Sequence, residues 1–195
     1  MKARLRTLSF ALAVSLTAFA QSPAPSGAPQ PQAGPRPVRP QIQETLSLWN
    51  NIGNRLIAMA EDFPEDKYSF KAQKDQRSFG ENLIHVAEED YRMISALKGT
   101  PAGPGNGGDL DAANFKTKAD VVKLIKQAVA DGAALLQEQG EAGLIKEVKF
   151  PYANMMVHSS FMWLDAIEHS GEHYGQLVVY YRVNNMVPPA SRPRK

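Results

Sequence analysis

Apolar residues recur every three or four positions in four stretches of the chain, and this spacing predicts four amphipathic helices. We expect the first helix at about residues 42–62, the second at 79–97, the third at 118–139 and the fourth at 158–184. Residues 141–154 contain only a short piece with extended character, and no run of alternating residues is strong enough to build a sheet. The pattern therefore predicts an all-α bundle.

Residues with capping chemistry mark where two of these helices start. Ser78 is followed three positions later by Glu81, which is the capping-box pattern. Thr117 and Asp120 repeat this spacing in a weaker form. The first helix is expected to end before Pro64, because the residue preceding a proline disfavours the helical region.

The N-terminal part of the chain has the composition of an export signal rather than of a folded domain. Residues 1–20 begin with positive charges, continue with an apolar run and end in small residues, which predicts a cleaved signal peptide. That run is too short to span a bilayer. Residues 21–41 are rich in proline and are expected to form a disordered tether. We predict a folded domain over 42–190 and a basic tail over 191–195, in a periplasmic or secreted protein without a membrane span.

Charge narrows the range of partners. The predicted domain contains 14 basic and 20 acidic residues, although the whole chain has a formal net charge of +2. A negatively charged surface repels phosphate backbones. We therefore expect no nucleic-acid partner. The expected substrate is a small molecule, which the sequence does not identify. A homodimer is compatible with the sequence, which does not decide the oligomeric state.

The four histidines are the residues with the clearest potential for chemistry. His169 and His173 are four positions apart in the fourth predicted helix, so both imidazoles lie on one face. Such a pair can bind one metal ion from the same side. On spacing alone the pair also fits a surface or core placement. The periodicity does not place His85 beside this pair, and His158 lies at the start of the helix.

Three motifs together resemble the DinB-like (YfiT-like) metalloprotein family. The most specific is the stretch from His169 to Arg182, which reads His-Ser-Gly-Glu-His-Tyr-Gly-Gln-Leu-Val-Val-Tyr-Tyr-Arg and is followed by Val-Pro-Pro-Ala-Ser at 187–191. The others are Phe-Pro-Glu-Asp-Lys-Tyr at 63–68 and Arg-Ser-Phe-Gly-Glu-Asn-Leu-Ile-His at 77–85. The resemblance implies a four-helix bundle with long crossover loops.

The same resemblance implies a metal site. The family takes one histidine from helix two and a His-x-x-x-His pair from helix four, which correspond here to His85, His169 and His173. His158 has no counterpart in that pattern. Some members are thiol-dependent transferases or hydrolase-like proteins, and many have no assigned activity.

Three neutral imidazoles leave a divalent ion charged and with at least one open position, as in catalytic zinc sites. Zinc is the expected metal, and nickel, iron or copper would also bind imidazole. Glu172 lies close enough to His169 along the helix to serve as a general base, or it is a solvated surface charge. Asp165, one turn before His169, either hydrogen-bonds an imidazole or is exposed.

These residues favour a metal-dependent hydrolase that uses metal-bound water. A thiol-dependent, metal-assisted transferase is the first alternative, although low-molecular-weight thiols belong mainly to the cytosol. The second alternative is a non-catalytic module that binds a metal or a ligand. The sequence does not decide whether the protein is an enzyme.

Overall fold

The computed structural model describes residues 37–101, 110 and 112–193. The predicted signal peptide lies outside the described residues, as does the predicted tether up to residue 36. The last two residues of the predicted basic tail also lie outside them.

Four long helices make up most of the described chain: α1 is Gln41–Asp62, α2 is Phe79–Lys98, α3 is Lys118–Gly143 and α4 is Ser159–Val183. Both α1 and α2 pack against α3 and α4, whereas α1 and α2 touch each other little. The helices therefore form a bundle with α1 and α2 on one diagonal, and the predicted all-α four-helix class is confirmed. No described helix combines the length and apolar character needed to cross a membrane.

The predicted capping residues start α2 and α3. The Ser78 hydroxyl accepts a hydrogen bond from the Glu81 amide at 3.2 Å, and the Glu81 carboxylate accepts one from the Ser78 amide at 2.6 Å. Thr117 and Asp120 form the same reciprocal pair, with distances of 3.2 and 3.0 Å. Each box satisfies amides that the first turn of a helix leaves without partners.

Helix α3 continues past the predicted end at residue 139. Gly140 has φ 60° and ψ −171°, and a further short helical segment follows it as far as Gly143. A positive φ is accessible to glycine at little cost because glycine has no Cβ. Immediately before this kink, the Gln139 Oε1 atom accepts a hydrogen bond from Trp163 Nε1 at 2.9 Å. The end of α3 is thereby attached to α4.

A two-stranded antiparallel hairpin precedes α4, where the sequence indicated only one short extended piece. Strand β1 is Glu147–Lys149 and strand β2 is Met156–His158, with Val148 opposite Val157. Hydrogen bonds between the backbones of the two segments form this hairpin, which neither segment's sequence pattern predicts alone. His158 is exposed and forms the N-terminal boundary of α4, as the sequence indicated.

Two apolar clusters fill the bundle on either side of a more polar level. One contains the stacked rings of Phe63 and Phe79, whose centroids are 3.8 Å apart. The other contains Trp49 and Trp163, which meet edge to face at 5.3 Å. On α2 the first cluster ends at Ala87 and the second begins at Met93. Between them α2 carries the charged side chains of Glu88, Glu89 and Arg92, and α4 carries His169 and His173.

The chain end described by the structure is attached to the bundle. The Arg192 guanidinium donates to both carboxylate oxygens of Asp62, at 2.7 and 2.6 Å. Asp62 also accepts a hydrogen bond from the Tyr181 hydroxyl at 3.1 Å. Arg192, predicted as part of a basic tail, is therefore bound to the end of α1.

Candidate metal centre

Helices α2 and α4 bring three imidazoles together. His85 comes from α2, and His169 and His173 lie one turn apart on α4. Three ring nitrogen atoms, one from each histidine, all lie within 4.8 Å of one another. The Nε2 atoms of His85 and His169 are 3.3 Å apart. The structure thus places side by side the three histidines that the resemblance implied.

The orientation of His173 is determined by Asn82, a residue that the sequence analysis did not select. The His173 Nδ1 atom lies 3.0 Å from the Asn82 Oδ1 atom, and both side chains are buried. An amide oxygen can only accept, so His173 carries its proton on Nδ1. The Nε2 lone pair is then free to bind a cation.

The Asn82 amide is itself held in one orientation. Its Nδ2 atom donates to the Ser78 carbonyl at 3.0 Å and lies within 3.4 Å of the Arg77 carbonyl and 3.3 Å of the Tyr180 hydroxyl. Because these neighbours include carbonyl acceptors, the nitrogen and not the oxygen must face them. The tautomer of His173 therefore follows from the packing of α2 against α4.

The other two imidazoles have different surroundings. The His85 Nδ1 atom is 3.9 Å from a Glu88 carboxylate oxygen, and Glu88 is paired with Arg92 at 3.1 Å. The buried His169 Nδ1 atom has no hydrogen-bond partner within the described ranges of the chain. His169 is thus the ligand candidate whose second nitrogen is left without a protein partner.

All three imidazoles are neutral near pH 7. Burial lowers the pKa of His85 to about 4, and the positive charge of Arg77 adds to this effect. Burial likewise lowers the pKa of His173 to about 3. Burial also lowers the pKa of His169, while the carboxylates of Glu172 and Asp165 act in the opposite direction. Neutral imidazoles are the form that binds metals.

One pair of donor atoms has the separation expected on a tetrahedral ion. Imidazole nitrogens bind zinc at about 2.0–2.1 Å, so two of them on a tetrahedral ion lie about 3.3–3.4 Å apart. The Nε2 atoms of His85 and His169 show this separation, at 3.3 Å. The burial of neutral nitrogens with few hydrogen-bond partners also suits a cation better than it suits an empty polar pocket. The three-histidine group can therefore hold a divalent metal.

Two cavities reach the group from different sides. One has a volume of about 240 Å³ and is lined by both His85 and His169, together with the carboxylates of Glu89 and Asp165 and the ring of Tyr152. Tyr152 belongs to the turn of the hairpin between β1 and β2. A small molecule could reach the imidazoles by this route.

The second cavity has a volume of about 390 Å³ and adjoins His85 alone among the three histidines. Its charged walls come from the chain segment that leads into α2 and from the first turns of that helix, including Arg77 and Glu81. The site therefore has an apolar and acidic approach on one side and a mixed, strongly charged one on the other.

Glu172, the predicted general base, is exposed on α4. Its negative charge raises the pKa of Glu168, to which its side chain is also hydrogen-bonded. Its negative charge also opposes the lowering of the pKa of His169. Asp165, by contrast, lines the smaller cavity with His85 and His169.

Comparison with known proteins agrees with this architecture. The sequence model of the DinB superfamily matches residues 48–177. The fold is similar to that of a DinB-like protein from Bacillus subtilis, with 22% identity and a TM-score of 0.60 over 78% of this chain and 99% of the other. It is also similar to a DinB-like protein from Bacillus cereus, with 15% identity and a TM-score of 0.64 over 76% and 95% of the respective chains. No curated protein is significantly similar to the chain.

Proposed function

This chain belongs to the DinB superfamily, and from that premise we propose that it is an exported, metal-dependent hydrolase whose divalent metal is held by His85, His169 and His173. Export is supported by the composition of residues 1–20, which is typical of a signal peptide. Zinc is the proposed metal, because imidazole nitrogens and tetrahedral spacing suit it.

The observation that carries this proposal is the cluster of three neutral ring nitrogens within 4.8 Å of one another. Two of the imidazoles come from one helix turn and the third from a different helix, so ordinary helix packing does not require them to meet. When bound, a zinc ion with three histidine ligands supplies a Lewis acid with an open position, which polarises carbonyl groups and activates water.

The protein's own groups would then orient the substrate and accept a proton. Asn82 holds His173 in the tautomer that leaves Nε2 free. Asp165 and Glu89 line the smaller cavity together with His85 and His169, and Glu172 follows three positions after His169 on α4. We assign Glu172 as the proton acceptor, since it is exposed and can move toward a bound substrate.

Metal content tests the first part of the proposal. Full-length protein purified without chelators should contain about one equivalent of zinc by elemental analysis, and His85→Gln, His169→Gln and His173→Gln should each lose most of it. His158→Gln is the matched control, because His158 is exposed at the start of α4 and outside the group. Equal metal content in all four variants would contradict the assignment of ligands.

Hydrolysis tests the second part. The zinc-loaded protein should cleave members of a panel of esters and amides, and Glu172→Gln should lower kcat by about 100-fold or more while zinc stays bound. Glu138→Gln is the control, since Glu138 is an exposed carboxylate on α3 that lines neither cavity at the histidines. Full zinc occupancy without turnover of any substrate would reject the hydrolase and leave a metal-binding module.

A further inference from the structure

Arg77 has an unusually well-anchored backbone for an exposed residue next to the site. The Tyr180 hydroxyl donates a hydrogen bond to its carbonyl oxygen, and the Asn82 amide approaches the same oxygen at 3.4 Å. Asn82 is also the partner of His173. The position of Arg77 is therefore coupled to the group that orients one of the imidazoles.

The side chain of Arg77 is exposed and lines the 390 Å³ cavity together with His85. Across residues 37–101, 110 and 112–193, its guanidinium has no hydrogen bond and no ion pair. Asp75 lies on the wall of the same cavity and forms no ion pair with Arg77. A guanidinium can donate five hydrogen bonds in a planar arrangement, so Arg77 offers an unused binding group at this position.

Two of the three carboxylates on the cavity wall already have cationic partners. Glu81 pairs with Lys71 at 3.4 Å, and it also accepts the capping hydrogen bond at the start of α2. Glu88 pairs with Arg92 at 3.1 Å. The charge of Arg77 is therefore not balanced by a direct contact with the protein.

Arg77 and His85 line the same cavity, so the guanidinium lies on the side of the three-histidine group that His85 forms. A cation bound between His85 and the two imidazoles of α4 would be repelled by the positive charge of this guanidinium. An anionic group located between the two positive charges would remove that repulsion.

We propose that Arg77 binds an anionic group of the substrate, either a carboxylate or a phosphoryl group. This group would lie next to the metal ion that the three histidines would hold. This inference rests on the proposed metal site and narrows its substrates to anions. Guanidinium groups recognise both kinds of anion through paired hydrogen bonds, whereas an ammonium group cannot reproduce that geometry. Arg77 is then a residue that determines specificity.

Anion binding tests the inference without requiring an identified reaction. Inorganic phosphate and acetate are titrated by calorimetry, at low ionic strength, into zinc-loaded and metal-free full-length protein. Arg77→Gln should weaken the binding of at least one of them by about 10- to 100-fold, the loss expected when a charged hydrogen bond is removed. Arg77→Lys should weaken it less, because the charge remains.

Arg182→Gln is the matched control, since Arg182 is an exposed arginine in the last turn of α4. It should bind both anions as the unchanged protein does. The anion whose affinity falls more in Arg77→Gln identifies the substrate group. A larger loss for phosphate indicates a phosphoryl group, and a larger loss for acetate indicates a carboxylate.

Two outcomes separate this inference from the proposed function. If Arg77→Gln binds zinc, phosphate and acetate as tightly as the unchanged protein, the role of Arg77 is rejected and the metal site stands. If no variant or parent protein takes up zinc, the proposed function is rejected, and the titration of metal-free protein decides the role of Arg77 alone. Thermal unfolding of each variant shows whether it is folded.

Discussion

Replacing Asn82 with alanine should weaken metal binding without touching a metal ligand. Asn82 is buried in α2 and accepts the hydrogen bond that keeps the His173 proton on Nδ1. In Asn82→Ala that proton can move to Nε2, where it competes with the metal. The variant therefore tests whether the orientation of this imidazole matters to the site.

The size of the effect follows from the contacts that are lost. The His173 Nδ1 group would be left buried without its 3.0 Å partner, which costs about 1–3 kcal/mol in the stability of the fold. Groups that orient a metal-binding histidine typically contribute about 10- to 100-fold to metal affinity. This corresponds to about 1.4–2.7 kcal/mol of binding free energy.

Zinc affinity is measured by competition with a chromophoric chelator, and the free energy of unfolding of the metal-free protein by urea denaturation. Leu83→Ala is the control, because Leu83 is fully buried in the neighbouring position of α2. It should lose about 2–5 kcal/mol of stability through the cavity it creates, yet keep its zinc affinity. Asn82→Asp retains an acceptor and should keep its affinity better than Asn82→Ala.

The reasoning is wrong if Asn82→Ala binds zinc as tightly as the unchanged protein at a urea concentration where both are folded. It is also wrong if Leu83→Ala and Asn82→Ala lose affinity equally, because the loss would then reflect general destabilisation. Only a selective loss in Asn82→Ala, reduced in Asn82→Asp, supports the role of the hydrogen bond.

Three further predictions concern packing and pH. A Cβ added at Gly132 would lie 2.2 Å from the ring of Trp49, so Gly132→Ala should cost about 1–3 kcal/mol or more in urea denaturation, and an unchanged midpoint would contradict this close packing. Burial raises the pKa of Asp90 well above 3.8, so ionisation of this carboxyl favours the unfolded chain as the pH rises above about 4. The stability advantage of Asp90→Asn should therefore grow with pH in that range, and a pH-independent difference would be evidence against it. Burial lowers the pKa of His85 to about 4 and of His173 to about 3, so protonation below pH 6.5 favours the unfolded state. The melting temperature of the metal-free protein should therefore fall as the pH decreases from 6.5 to about 4, whereas a constant value would reject neutral buried imidazoles.

The starts of α2 and α3 could be predicted from the sequence because their capping residues are local. Ser78 finds its hydrogen-bond partner three residues away in Glu81, and Thr117 does so in Asp120. The hairpin could not be predicted in the same way, because each of its strands has only three residues. Alternation has to persist over about four to eight residues before it indicates a strand.

In the candidate site, too, the sequence predicts only those relations that local spacing imposes. His169 and His173 share a face because they are four positions apart, which any helix would impose. Nothing local connects them with His85, and family resemblance was needed to bring it in. Asn82 was missed because an asparagine in a helix usually has no marked role. Its partner is 91 positions away, and the only available indication was its place one turn before His85 on α2.

His85 and His169 are separated by 84 positions, and the intervening chain includes all of α3 and the hairpin. An ion bound to both would connect these distant parts of the fold, in a chain without cysteine. The imidazoles come together only in the folded chain, so the ion would bind the folded state and not the unfolded one. Above the Kd, the free energy of unfolding would increase with the logarithm of the free metal concentration. The lifetime of this protein would therefore depend on the metal supply of its surroundings.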